Sequence, residues 1–244
     1  MNIFPLMGLL EKYAFDFFPV VPFDPNKQTV VTLDLSKSNK EINPAVYKST
    51  ETLDQYIESK RQSANATYLI GGYNEPREMY RRSEIFDTNK DSTSAKKEES
   101  RSIHLGTDIW GPVGTPVFVP LGGMVHSFGM NEQYGDYGAT IILQHQLEGT
   151  NFYTLYGHLS VKDLSGMSEA MYVSRGQLLA HFGPPEENGQ WPPHLHFQII
   201  QDMGNWKGDY PGVCKPSEAR DFLGNCPDGD LILQLKKHLN ASSV

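Results

Sequence analysis

Between residues 113 and 200 the chain breaks into short runs of β-branched, aromatic and aliphatic side chains divided by Gly and Pro. Runs at 117–119, 124–128, 140–143, 152–156, 177–182 and 195–199 have strand length, and turn residues between them make this the pattern of an antiparallel sheet. Upstream, 28–35 has the β-branched density of a further strand. Ser49-Thr50-Glu51 opens a helix, with Leu53, Tyr56 and Ile57 at helical spacing and Lys60 and Arg61 in its last turn. Residues 1–10 read as an amphipathic helix or arm packed on the domain, and 217–224 and 229–239 read as helices. The expected fold is mainly β: an antiparallel sheet with an α/β N-terminal elaboration and short C-terminal helices. The expected divisions are an elaboration at 1–70, a connecting segment at 71–103, a central domain at 104–210 and a tail at 211–244. The polar, charge-mixed stretch 87–101 should be a mobile surface loop bordering the site.

One of those β runs carries chemistry. In Trp191-Pro192-Pro193-His194-Leu195-His196-Phe197-Gln198 the two histidines share a strand face, roughly 6–7 Å apart along the backbone. With 8 His in 244 residues an H-x-H arises by chance in about one such chain in four, so the pair alone is weak. Its company is not. His104-Leu105-Gly106-Thr107-Asp108 lies about ninety residues upstream, and Tyr156-Gly157-His158-Leu159-Ser160 stands between. Two imidazoles and a carboxylate suit zinc, which takes three protein ligands plus water at catalytic sites and four protein ligands at structural ones. His126, His145 and His181 lack such partners in sequence and read as core histidines with satisfied hydrogen bonds, and His238 among lysines as solvent-facing.

The succession H-x-x-x-D, Y-x-H-L and P-H-L-H-F resembles the M23 zinc metallopeptidases of the lysostaphin and LytM type over roughly residues 104–200. Gly114-Thr115-Pro116-Val117, Gly123-Met124-Val125, Tyr137–His145 and Val173–Leu179 stand where that family has short antiparallel strands and turns. The resemblance implies one zinc ion per chain on His104, Asp108 and His196, with His158 and His194 as catalytic histidines beside it. It also implies a peptide or peptidoglycan-like substrate. Arg77 sits where the family places an arginine before its first ligand. It reads either as a groove residue or as an arginine satisfying loop carbonyls or a surface acid. Tyr156, two residues before His158, reads either as groove wall or as core.

No H-E-x-x-H is present, so a helix-borne Glu base is missing and His158 and His194 remain for proton transfer. Two non-ligand histidines argue for catalysis, since a structural zinc is better closed by a fourth protein ligand. The alternatives are a zinc-containing peptide-binding or regulatory module, or a cytoplasmic hydrolase of small amides. A formal charge of −8 argues against non-specific nucleic-acid binding. No apolar stretch approaches the ~20 residues of a membrane span. Cys214 and Cys226 form no zinc pattern and read as reduced thiols or one disulfide. The start of the chain is a poor secretory signal, which with the cysteine usage points to the cytoplasm, whereas the resemblance implies the periplasm or exterior. The sequence carries no signal for oligomeric state.

Overall fold

The computed structural model describes residues 4–86 and 99–239. The first part of the chain supplies helix α1 (Phe4–Lys12), strand β1 (Val30–Thr32), helix α2 (Thr50–Ser63) and strands β2 (Tyr68–Gly71) and β3 (Glu75–Pro76). Two short strands follow, β4 (Ile103–His104) and β5 (Thr107–Trp110), then β6 (Pro116–Phe118). The long meander is β7 (Gly123–Asn131), β8 (Gly138–Leu147) and β9 (Thr150–Leu159). β10 (Tyr172–Val173), β11 (Leu178–His181), β12 (His194–Ile200) and β13 (Val213–Cys214) lead to α3 (Ala219–Leu223) and α4 (Asp230–Leu233).

Eight strands form one sheet in the order β1-β2-β5-β12-β9-β8-β7-β10, with β12 central and buried on both faces. Among the described residues β1 and β2 are the parallel pair, and α2 joins them. A reciprocal capping box between Ser49 and Thr52 starts α2, and Leu53 and Ile57 bury its inner stripe. The N-terminal region therefore extends the main sheet through β2, which lies against β5.

Strand alternation sorts the sheet into two faces. Ile70, Ile109, Tyr156, Leu195 and Phe197 face the larger core, where α1 adds Leu6 and Leu10 one helical turn apart. Each such fully buried side chain contributes roughly 1.5–3 kcal/mol of burial free energy. The opposite face carries two smaller cores. One gathers Leu53, Leu69, Tyr80, Phe86, Trp110 and Trp191; the other gathers Tyr137, Ile142, Leu155, Ile200 and Tyr210. The cleft opens between them.

Two expected elements come out shorter. The run at 28–35 is a strand only over Val30–Thr32, because Asp34 turns the chain by accepting the Ser36 N–H. The helix expected at 229–239 stops at Leu233. There Gln234 adopts a left-handed φ of 55°, and the Asp230 carboxylate accepts the Leu235 and Lys236 N–H groups. Of the polar loop expected at 87–101, residues 87–98 lie outside the described residues.

Candidate metal centre and its cleft

β12 and β5 run antiparallel with His196 opposite Asp108 and His194 opposite Trp110, so all four side chains share the sheet face that looks into the cleft. His104 arrives from β4, held between β3 and β13. The small residue in the H-L-G-T-D run has a steric reason. A Cβ on Gly106 would stand 2.4 Å from the His196 ring, so only glycine lets the two strands bring these donors together.

His104 Nε2 is 3.3 Å and His196 Nδ1 3.2 Å from Asp108 Oδ1, and the two nitrogens are 2.9 Å apart. The outer bonds fix both tautomers. His104 Nδ1–H donates to the Gly72 carbonyl at 2.9 Å. Gln198 donates its amide to the Pro211 carbonyl, which turns its oxygen toward His196, so His196 Nε2–H donates to Gln198 Oε1 at 2.9 Å. Both inward nitrogens thus present lone pairs, and Asp108 Oδ1 is buried without a hydrogen-bond partner. Three acceptors facing one another with no proton between them call for a cation. Two neutral imidazoles and a carboxylate are the donor set that suits zinc, and these residues fit it.

The electrostatics agree. Burial, reinforced by the Arg77 charge, pushes His104 down to about 4, so it is neutral at pH 7. Burial works against the Asp108 charge, but His104 and Arg77 outweigh it and hold that carboxyl well below its usual range.

His158 and His194 form the adjoining wall, with ring centroids 4.1 Å apart. Trp110 stacks on His194 at 3.9 Å. Each donates Nδ1–H to a backbone carbonyl, Asn188 at 2.8 Å for His158 and Pro192 at 2.7 Å for His194. Their Nε2 atoms have no hydrogen-bond partner among the described residues and carry lone pairs. Burial keeps both rings neutral, holding His194 down to about 4 and His158 well below its ordinary value.

Tyr156 does not line this cleft. It is fully buried in the core, packed edge-to-face against Phe197 with ring centroids 5.3 Å apart. Regular alternation would put His158 on that core face as well. The register shift between β8 and β9 and a left-handed φ of 61° at His158 turn its ring to the other side. Arg77 is among the residues lining the cleft although it is 4% exposed, and its Nε and Nη1 donate to Glu75, Asp108 and Tyr80. Cys214 and Cys226 are free and buried. His126 and His181 bond Ser127 and Asp163 respectively, and His238, half-buried, packs on Phe23. Sequence reasoning missed Gln198 and Trp110, each two residues beyond a site residue on its own strand face, where the period of two points to them. It also missed Tyr137, whose hydroxyl is 3.3 Å from His196 Nε2.

The cleft has a volume of about 270 Å³, and the three donors and both free imidazoles line it. Residues 102–208 match peptidase family M23. The chain carries an M23 peptidase domain. The matched stretch of the M23 domain contains His104, Asp108, His158, His194 and His196. The L-Ala–D-Glu endopeptidase of Bacillus subtilis (strain 168) is 33% identical over 119 residues, which are 46% of this chain and 34% of that protein. The peptidoglycan DD-endopeptidase ShyA of Vibrio cholerae is 35% identical over 97 residues, 40% of this chain and 20% of its own length. The chain thus spans about a third or less of these curated relatives. Among solved structures, the catalytic domain of lysostaphin from Staphylococcus simulans is similar with a TM-score of 0.37 and 21% identity, covering 67% of this chain and 94% of that one.

Proposed function

We propose that the M23 domain is a zinc-dependent endopeptidase or amidase that hydrolyses short peptide bonds of the peptidoglycan-stem type. His104, Asp108 and His196 would hold one zinc ion per chain. The observation that carries this reading is the convergence of three buried, proton-free donors beside two neutral histidines with free Nε2 atoms. A bound zinc supplies Lewis acidity toward a water and a carbonyl.

The chain's own residues do the rest. Neutral at pH 7, His158 or His194 takes a proton on Nε2 from the attacking water and returns it to the leaving amine. Once protonated, the ring hydrogen-bonds the developing oxyanion. The Asn188 and Pro192 carbonyls hold both rings in the tautomer that keeps Nε2 open, and they favour the charged form as it appears. Trp110 and Trp191 shield the pair from bulk water.

The test is cleavage of pentaglycine, D-Ala-containing stem peptides and L-Ala–D-Glu peptides by zinc-loaded protein. Hydrolysis of at least one, lost with a chelator and restored by Zn²⁺, is the expected result. Zinc-loaded protein that binds these peptides and cleaves none contradicts the peptidase reading and supports the non-catalytic peptide-binding module.

A further inference from the structure

Arg77 is the most deeply buried cation among the described residues, and the reaction outlined above does not use it. Its three nitrogens face three different structures. Nε donates to Glu75 Oε2 at 2.5 Å. Nη1 donates to Asp108 Oδ2 at 2.8 Å and to the Tyr80 hydroxyl at 3.2 Å. Nη2 has no hydrogen-bond partner and lies under Gly72, where a Cβ would stand 2.3 Å from it and 2.8 Å from His104 Nδ1. Gly72 has a φ of 97° and its carbonyl orients His104, so the guanidinium underlies two of the three donors at once.

We propose that Arg77 is a positioning residue for the metal centre: by engaging Asp108 Oδ2 it leaves only Oδ1 to face the two imidazoles. A carboxylate with both oxygens free can turn, chelate a cation through both, and fill a coordination position that a catalytic zinc keeps for water. A planar guanidinium hydrogen-bonded to Oδ2 and packed at this site holds that oxygen and opposes the rotation. Glu75 sets the guanidinium in turn. Its Oε1 accepts the Leu35 N–H at 3.1 Å, which runs the contact from the β1–α2 segment through Glu75 and Arg77 to Asp108. The region before residue 77 thereby acts on the geometry of the centre without contributing a donor to it.

This inference rests on the proposed zinc site, and the experiment separates the two. Zinc affinity is measured by chelator competition for the full chain and its Arg77→Lys, Arg77→Met and Glu75→Gln variants, alongside the visible spectrum of the Co²⁺-loaded proteins. Near-UV circular dichroism of the metal-free proteins reports their folding. Removal of an outer-sphere partner lowers metal affinity typically about 10–100-fold. Arg77→Met is expected in that range, Arg77→Lys between it and the parent, and Glu75→Gln about 3-fold below the parent. A changed Co²⁺ spectrum should accompany the Arg77 variants, since a merely structural arginine would leave the ligand field untouched. Should Arg77→Met not fold, Arg77→Lys and Glu75→Gln carry the test. Parental affinity and spectrum in these folded variants overturn the inference. A parent chain that binds neither Zn²⁺ nor Co²⁺ overturns the zinc site instead.

Discussion

His145 and the pair His158–His194 lie on the same sheet, are equally buried, and yet differ in what they leave unbonded. His145 is 2% exposed, and burial pushes it down to about 4, the value His194 also takes. Its two nitrogens are both used, Nδ1 on the Gly122 carbonyl at 3.2 Å and Nε2 on the Thr154 hydroxyl at 2.7 Å. His158 and His194 use Nδ1 alone, and the other nitrogen opens on the cleft. Burial and a low pKa therefore do not distinguish a working histidine from a structural one here. The unspent lone pair does.

That contrast predicts a graded set of losses. The largest belongs to the three donors. His104→Ala, Asp108→Ala and His196→Ala should each reduce zinc affinity by more than the roughly 10–100-fold of an outer-sphere loss and abolish hydrolysis, measured by elemental analysis and peptide cleavage. Next, His158→Ala and His194→Ala should retain the metal and lose about 10²–10⁴-fold in kcat/KM. Loss of zinc from either variant would erase the distinction between donor and base. His145→Ala should do the reverse. It removes the ring donor to the Gly122 carbonyl and one of the two partners of the Thr154 hydroxyl, which keeps Tyr156, costing about 1–3 kcal/mol in urea unfolding, with zinc content and kcat unchanged in the folded fraction.

The smallest effect is a pH dependence. His145 is held down to about 4 in the fold against an ordinary 6.5, so folding favours its neutral form. Its contribution to stability is fully present above pH 6.5 and is lost as pH falls from there through about 4. His145→Gln should flatten the part of the acid limb that lies in this window. Parallel stability curves for parent and variant would mean that His145 does not titrate as its burial requires.

The donor set His104, Asp108 and His196 comes from the family resemblance, and strand periodicity adds only the shared face of the H-x-H. H-x-H put His194 and His196 on one face, and extending the same period reaches Gln198. The period misled at Tyr156, where it equated the Tyr156 and His158 faces; one residue in a left-handed conformation beside a register shift undid the alternation. The carbonyls of Gly72, Asn188 and Pro192 were not legible at all. Every residue offers such an acceptor, and only the fold selects which one meets an imidazole. Arg77 reads from sequence as a groove residue or as a partner of loop carbonyls or a surface acid; the acid it meets is the buried Asp108, 31 positions away and so not visible as its partner.

The central claim is that lone pairs left over among buried side chains mark one zinc site on three named atoms. Crystals of the zinc-loaded chain, with anomalous diffraction recorded above and below the zinc edge, test it most directly. The account predicts one strong peak per chain within about 2.0–2.2 Å of His104 Nε2, Asp108 Oδ1 and His196 Nδ1. A zinc-loaded crystal with no peak there, or with its peak bonded to His145 or to the Nε2 atoms of His158 and His194, would contradict it.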